Sequence, residues 1–170
     1  MNILDFIKTI DGGSGASEEN ILLFEEEIGK PLPRQFRDFL KLTSGGNNDD
    51  CHVDGFEVAI SYVGGVAKDS IHQLSEARNV YQVEDGFRIP KDLLWIMDDG
   101  CGNAICIAFC GDNEGQIFLW LHENEYLMYD KSGNNLLLDY TSQNAPNIEF
   151  VAKTFNDFID KIELFDESEY

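Results

Sequence analysis

Residues 93–100 read Leu-Leu-Trp-Ile-Met-Asp-Asp-Gly, and residues 103–109 read Asn-Ala-Ile-Cys-Ile-Ala-Phe. Both contain a short apolar run, and the acidic residues and glycines that separate the two runs are typical of a turn. This pattern predicts two antiparallel strands joined as a hairpin. A third run at residues 116–122, which follows a turn at residues 111–115, predicts the next strand, at the centre of the sheet.

Helices are expected before and after these strands in the sequence. Apolar side chains at near-helical spacing predict one helix that starts at Ser17 and stops at Gly29, and another that starts near Pro33 and ends near residues 44–46. A short helix is expected to end at residues 12–13. A closing helix is expected to reach Ile162, with a strand or turn before it.

The segments between these elements are predicted as follows. Residues 12–15 (Gly-Gly-Ser-Gly) are interpreted as a flexible connector, and residues 47–50 (Asn-Asn-Asp-Asp) as an exposed loop. Residues 53–60 alternate loosely enough to predict a strand, and residues 70–81 predict a short amphipathic helix. The acidic residues 166–170 are expected to fray.

The order of elements determines the expected fold class. Helices come first, then strands joined by tight turns, then a closing helix, which predicts an α+β domain with a mainly antiparallel sheet and helices packed on one face. The chain of 170 residues is long enough for one core, and contains no linker-like tract. We therefore expect a single domain over residues 1–170, with its core at about residues 17–163.

The charge limits the classes of partner. The chain has 32 Asp and Glu against 12 Lys and Arg, so its net charge is −20. Such a charge repels phosphate backbones and anionic headgroups, and we expect neither nucleic acid nor membrane as a partner. The charge either keeps the protein soluble or attracts a basic protein. No signal peptide or membrane-spanning run is evident, which predicts a cytoplasmic protein.

Residues with catalytic potential are scattered through the chain. His52, His72 and His122 lie in separate segments without metal-binding spacing, and the four cysteines form no Cys-x-x-Cys pair. Cys51 and His52 are neighbours on an expected strand, so their side chains point to opposite faces and do not form a nucleophile and base. The acidic residues near the hairpin are interpreted as solvated turn residues, and the alternative is a calcium site or a pair of catalytic carboxylates. We expect no enzyme, no metal and no cofactor.

Three segments carry a family resemblance. Residues 28–46 resemble a helix, a Leu-Pro turn, an aromatic helix and a glycine pair, and residues 95–123 resemble a central hairpin with a glycine-asparagine turn. Residues 151–162 resemble a closing helix with two phenylalanines three positions apart. Together they resemble the SUKH superfamily, in the branch of bacterial immunity proteins related to a fungal cell-wall synthesis regulator. The resemblance extends over about residues 20–163.

The resemblance implies a function as well as an α+β fold. Immunity proteins of this kind bind and neutralise a toxin that is delivered between competing bacteria, without turnover. The superfamily also includes regulatory and scaffolding modules, and a fold alone does not decide between these functions. The expected partner is a toxin with a basic surface, and a nuclease with a basic substrate groove would suit the net charge.

The expected interface is chosen by predicted exposure in loops and turns. The segments at residues 49–87 and 124–147 match no family pattern, and partner specificity is expected there. The candidate partner-binding residues are Asp49, Asp50, Asp98, Asp99, Glu123, Glu125 and Tyr126.

Overall fold

A computed structural model describes residues 1–56, 58–84, 88–136 and 140–165. The tail at residues 166–170, which was expected to fray, lies outside the described residues. The helices are α1 (Ile3–Lys8), α2 (Glu18–Ile28), α3 (Arg34–Leu40), α4 (Leu74–Asn79) and α5 (Phe155–Asp160). The strands are β1 (Asp11–Ser14), β2 (Thr43–Val53), β3 (Val58–Val63), β4 (Leu93–Asp98), β5 (Ala104–Ala108), β6 (Ile117–Trp120), β7 (Ile148–Ala152) and β8 (Ile162–Leu164).

Two irregular helical segments complete the described secondary structure. A π-helical turn at Val80–Glu84 continues α4, and a 3₁₀ segment occupies His122–Met128. In the described part of the chain, none of the helices combines the length and the apolar composition needed to cross a bilayer.

All strands belong to one antiparallel sheet, in the order β1-β2-β3-β4-β5-β6-β7, with β8 paired to β2. The predicted α+β class is therefore confirmed. The hairpin β4–β5 is also confirmed, and its pairing runs from Leu93 opposite Ala108 to Asp98 opposite Ala104. The expectation that β6 is central is wrong, because β7 pairs with β6 and leaves it next to the sheet edge.

The sheet is covered on both faces. Leu119 and Trp120 are neighbours on β6 and point to opposite faces. Leu119 borders a small cavity together with Phe158 of α5, so α5 packs on that face. The ring of Trp120 meets the ring of Tyr81 at a centroid distance of 5.7 Å, so the π-helical turn packs on the opposite face. We call the face that carries Leu119 the first face and the face that carries Trp120 the second face.

The first face holds a cluster of phenylalanines. Phe36 and Phe39 of α3 each contact Phe155 of α5, at ring centroid distances of 5.3 Å and 5.1 Å, and Phe6 of α1 stacks on Phe39 at 6.2 Å. All four side chains are 0–1% exposed. Aromatic pairs of this kind contribute beyond the area that they bury. The N-terminal and closing helices are thereby joined over the sheet, as predicted.

The N-terminal glycine segment differs from its prediction. Residues 11–14 form strand β1, which pairs with β2, so the interpretation of residues 12–15 as a flexible connector is wrong. A Cβ atom on Gly12 would lie only 1.7 Å from the carbonyl oxygen of Gly45. Glycine is needed here because two backbones approach closely, not because the segment is mobile.

The segment after α3 also differs. Helix α3 ends at Leu40, and residues 47–50 lie within strand β2 and do not form a loop. The pairing of β2 with β3 is irregular between Asn47 and Cys51. The side-chain oxygen of Asn48 accepts hydrogen bonds from the backbone N–H groups of Asp50 (3.2 Å) and Cys51 (3.1 Å). The Asn48 side chain thus stabilises a bulge within strand β2. Polar residues that usually form turns are found at this bulge, which is why the segment was predicted to be a loop.

The ends of two further elements differ from their predictions. The strand expected at residues 53–60 is a turn followed by β3 (Val58–Val63), while Val53 belongs to β2. The closing helix ends at Asp160 and not at Ile162, which begins β8. In both places the chain forms strand pairs with β2, and pairing between distant segments overrides a local apolar pattern.

Helix α2 matches its predicted ends. The Ser17 hydroxyl accepts a hydrogen bond from the backbone N–H of Asn20 at 3.2 Å, and Gly29 closes the helix in the left-handed conformation with φ of 74°. Ile21 is fully buried, whereas the adjacent Leu22 is 53% exposed. The buried face of α2 is therefore narrower than the apolar residues alone suggest.

The pair Ile21 and Leu22 provides a matched test of the packing. Replacing Ile21 with alanine should lower the free energy of unfolding by about 2–5 kcal/mol, because it leaves a cavity in the core. Leu22→Ala in the same helix should change it by less than about 0.5 kcal/mol. Urea denaturation measures both values. Equal losses would contradict the orientation of α2.

Candidate functional site

A row of register-aligned residues crosses the second face. Residues directly opposite one another in paired strands project on the same face, which places one residue from each of six strands side by side. The row is Asn47, Tyr62, Asp98, Ala104, Trp120 and Ile148. Trp120 is fully buried, whereas Tyr62 is 37% exposed and Asp98 is half-buried. The cover of the second face is thus incomplete near Tyr62 and Asp98.

Helix α4 and the π-helical turn form the partial cover. A Cβ atom placed on Gly64 would lie within 2.6 Å of both Leu74 of α4 and Trp95 of β4, so these two side chains meet at that glycine. Trp95 is opposite Cys106 and therefore projects on the second face. Burial raises the pKa of Tyr81, and the nearby Asp98 carboxylate adds to this effect.

Arg88 joins this cover to the 3₁₀ segment. Its guanidinium carbon lies 5.4 Å from the ring centroids of both Tyr81 and Trp120. Its Nε and Nη2 donate hydrogen bonds of 2.9 Å to the two carboxylate oxygens of Glu125. The hydrogen bonds to Glu125 raise the pKa of Arg88. Cation–π contacts and a bidentate ion pair thus act on the same guanidinium, which we call the Arg88 clamp.

Large side chains that are close in sequence to the residues of the Arg88 clamp are exposed. They follow or precede the clamp residues Tyr81 and Glu125 within a few positions along the chain. These side chains are Val80 (43% exposed), Tyr126 (68%), Leu127 (39%) and Tyr129 (42%). Exposed aromatic and aliphatic groups beside an arginine, on a protein of charge −20, are typical of a protein-binding surface. We call these four residues, two aromatic and two aliphatic, the aromatic rim.

The structure brings together five of the predicted site residues. Asn103 donates from its side-chain nitrogen to Asp99 (2.7 Å) and accepts at its side-chain oxygen from the backbone N–H of His122 (3.3 Å). These contacts attach the β4–β5 turn to the start of the 3₁₀ segment. The residues that share this region are Asp98, Asp99, Glu123, Glu125 and Tyr126.

Their exposure differs from the expectation in three cases, because Asp98 and Glu125 are half-buried and Asp99 is buried. Asp99 is only 8% exposed, because its carboxylate also accepts hydrogen bonds from the backbone N–H groups of Cys101 (2.8 Å) and Asn103 (3.0 Å). The prediction that Asp99 is exposed is therefore wrong, and this side chain holds the turn. Glu125 is half-buried because it pairs with Arg88. Glu123 and Tyr126 are exposed as predicted.

Asp49 and Asp50 lie elsewhere. Both are exposed, on the bulged part of β2, two strands away from Asp98 in the sheet. The carbonyl of Asp50 accepts a hydrogen bond from the backbone N–H of Phe165 at 2.8 Å, beyond strand β8. They do not belong to the surface that surrounds the Arg88 clamp.

Asp98 is the half-buried acid of the row. One carboxylate oxygen accepts from the backbone N–H of Gly100 (2.9 Å), and the other accepts from the indole N–H of Trp95 (3.2 Å). Burial raises the pKa of the Asp98 carboxyl group, since it disfavours the charged form. The ring of Tyr62, which lies opposite Asp98, meets the ring of His72 at 4.4 Å.

Sequence reasoning missed the central members of this surface. Tyr62, His72, Tyr81 and Arg88 were not predicted, although Tyr126 and Glu125 were. Arg88 carries no local signal, because its partners Tyr81, Trp120 and Glu125 come from three different segments. The only sequence signal that could have pointed to Arg88 is the scarcity of basic residues, because the whole chain has 12 Lys and Arg.

The residues considered for catalysis do not converge. His52 stacks on Phe165 at a centroid distance of 5.1 Å, while the sulfur of Cys51 lies 3.4 Å from the Thr9 hydroxyl. The two neighbours thus contact different parts of the molecule. Across residues 1–56, 58–84, 88–136 and 140–165, no three His, Cys, Asp or Glu side chains are arranged to hold a metal ion. The geometry of the second face suits binding to another protein.

Comparison with protein families identifies the domain. The model of the SMI1 / KNR4 family (SUKH-1) matches residues 15–161. The chain belongs to this family. The match runs from the segment before α2 to the end of α5, and it confirms the resemblance to the SUKH superfamily. No curated protein matches this SUKH-1 chain.

A double-mutant cycle tests the Arg88 clamp. Arg88→Ala and Glu125→Ala should show a coupling of about 1 kcal/mol in the free energy of unfolding, because the pair is bidentate and its side chains are 32% and 22% exposed. The control cycle uses Arg34 and Asp38, which are 3.9 Å apart and 93% and 59% exposed, and should give less than about 0.5 kcal/mol. Similar couplings in the two cycles would contradict the clamp.

The raised pKa of Asp98 predicts a pH dependence. Its folded-state pKa lies above the unfolded value, so its protonation stabilises the folded protein at low pH, and this stabilisation is lost as the pH rises through the folded pKa. As the pH rises from about 4 to 7, wild type should therefore lose stability relative to Asp98→Asn. Urea denaturation across this range measures it, with the exposed Asp54→Asn as the control for net charge. A difference that does not change with pH would contradict the assignment.

Proposed function

We propose that this SUKH-1 protein is a bacterial immunity protein, which binds a toxin domain and neutralises it by stoichiometric inhibition. The family match supports this function, since members of the family are typically non-catalytic immunity or regulatory proteins. The observation that carries the proposal is the aromatic rim around the Arg88 clamp, which offers exposed anchors on an otherwise strongly acidic protein.

The physical character of this surface suits tight binding. Tyrosine and arginine are enriched among the residues that dominate interface energetics, and they act best when they are held rigidly. Tyr126 directly follows Glu125, whose carboxylate is fixed by two hydrogen bonds from Arg88. The backbone that presents Tyr126 is thus ordered before a partner arrives. An antidote is expected to need a dissociation constant in the nanomolar range or below, about −12 kcal/mol.

Charge supports a basic partner. A net charge of −20 steers a positively charged protein toward this one and accelerates association, most strongly at low ionic strength. A nuclease toxin with a basic substrate groove is the partner that this charge suits best. Covering that groove would exclude the nucleic acid substrate. Because such a toxin acts on cellular nucleic acid, the proposed site of action is the cytoplasm.

A regulatory or scaffolding module is the second candidate function. The same family includes regulators, and the same aromatic rim would serve a host protein as well as a toxin. The neighbouring genes discriminate between the two candidates, because an immunity gene lies beside a toxin gene. A scaffold has no need of that arrangement.

The direct test is a rescue experiment. Where the neighbouring genes include one for a toxin domain, that domain is expressed in cells with and without this protein, and the complex is purified from the surviving culture. Survival together with a stable one-to-one complex would support the immunity function. Death of the co-expressing cells without a complex would shift the assignment to the regulatory candidate.

Tyr126 tests the location of the interface. Tyr126→Ala should weaken the complex by at least about 2 kcal/mol, as expected for an aromatic anchor, and should reduce survival in the rescue experiment. Leu4→Ala is the control, because Leu4 is 60% exposed on α1, which packs with α5 on the other face. Calorimetric titration gives the two affinities. A loss with Leu4→Ala and none with Tyr126→Ala would place the interface on the first face.

A further inference from the structure

We propose that Asp98 receives an arginine side chain of the protein partner. This inference rests on the proposed function, because it assumes a protein partner on the second face. It adds the chemistry of the contact and one residue that determines partner specificity. We call the proposed site the arginine niche. It consists of Asp98 together with Tyr62, His72, Tyr81 and Trp95.

Asp98 is a half-buried acid that has no ion-pair partner in the part of the chain that the structure describes. The ion pairs formed among the described residues do not include Asp98. Partial burial removes water from the carboxylate, and no Lys or Arg among the described residues lies within ion-pair distance to compensate for this loss. His72 lies near enough to influence the Asp98 carboxylate, but its Nε2 is 2.8 Å from the side-chain oxygen of Asn47. The negative charge of the Asp98 carboxylate is therefore not neutralised by an ion pair among the described residues.

The carboxylate also has free acceptor positions. An ionised carboxylate offers about four lone-pair sites on its two oxygens. Among the described residues, each oxygen of Asp98 accepts one hydrogen bond, from Gly100 to one and from Trp95 to the other. Each oxygen therefore has one lone pair without a partner among these residues. This arrangement matches the paired N–H groups of a guanidinium, which binds both oxygens at once.

Aromatic rings border the carboxylate. Tyr62 is the cross-strand neighbour of Asp98, its ring lies against the ring of His72, and it is 37% exposed. Tyr81 lies on the other side, toward Trp120, and is close enough for Asp98 to raise its pKa. Arg88 already lies over the ring of Tyr81, so Tyr62 is the partly exposed ring beside this acid. An aromatic ring beside an acid favours a planar cation that stacks as well as pairs, so arginine suits the niche better than lysine.

The protein itself contains the same recognition chemistry a short distance away. In the Arg88 clamp, a guanidinium lies over the rings of Tyr81 and Trp120 and binds both oxygens of a carboxylate. Tyr81 borders both the clamp and the niche. The second face thus holds one site of this type that is filled by the chain's own arginine, and one at Asp98 that has no internal cation among the described residues.

The test uses the free protein and short peptides. ¹⁵N-labelled protein at low ionic strength is titrated with acetyl-Gly-Arg-Gly-amide, and in parallel with peptides that carry citrulline or lysine in place of arginine. Citrulline has the shape of arginine without its charge. The arginine peptide should shift the amide signals of Tyr62, Asp98 and Gly100 and saturate at millimolar concentration, more tightly than the lysine peptide. The citrulline peptide should leave these signals unchanged.

Two variants make the test specific. Asp98→Asn should weaken the arginine peptide at least about tenfold, because it removes the charge and one of the two paired acceptors. Asp54→Asn makes the same change in charge at the β2–β3 turn, at the far end of that hairpin from Tyr62, and should leave the affinity unchanged. Each variant's spectrum also reports whether the fold is intact.

The outcomes separate this inference from the proposed function. Shifts spread evenly over acidic residues, or equal affinities in wild type and Asp98→Asn, would overturn the arginine niche while toxin rescue could still succeed. Specific arginine binding at Asp98 would support the niche even if the neighbouring toxin is not neutralised, and the partner would then be a regulatory protein that presents an arginine.

Discussion

The burial of the β4–β5 hairpin on both faces is the constraint on which the structure depends. Residues 93–97 and all of Ala104–Ala108 are buried, so this pair of strands has no face that water can cover. A sheet of this kind needs a layer on each side. The phenylalanine cluster of α1, α3 and α5 supplies a thick first layer. The second layer is thinner, because it consists of α4, the π-helical turn and the 3₁₀ segment.

The binding chemistry arises where the second layer is thin. Over Trp120 the cover is complete, and the Arg88 clamp seals it. Toward β3 the cover ends, which leaves Tyr62 and Asp98 of the same row accessible. Structural polar groups surround this opening, and Asp99 orders the turn with its own hydrogen bonds. A rigid scaffold thus carries a small number of exposed aromatic and acidic groups, as is usual for binding sites built on a common fold.

Signals that act within a few residues made much of the fold predictable. The hairpin follows from two apolar runs and a polar turn, and α2 follows from the Ser17 cap and Gly29. Where an element depends on a distant strand, local reasoning failed. Gly12 was interpreted as part of a connector because its partner Gly46 cannot be inferred from the neighbouring residues. The polar bulge at Asn48 was interpreted as a loop for the same reason.

The sequence by itself determined the fold class, the SUKH resemblance, the strongly acidic character and the segments that carry Asp98, Glu125 and Tyr126. Only the tertiary structure decided which of these residues share a surface, that Asp99 is buried, and that Arg88 connects the 3₁₀ segment to the sheet. The physical reason is the range of the interactions. Caps, turns and apolar periods act between near neighbours in the chain, whereas a binding surface is made by side chains that meet only after the sheet has formed.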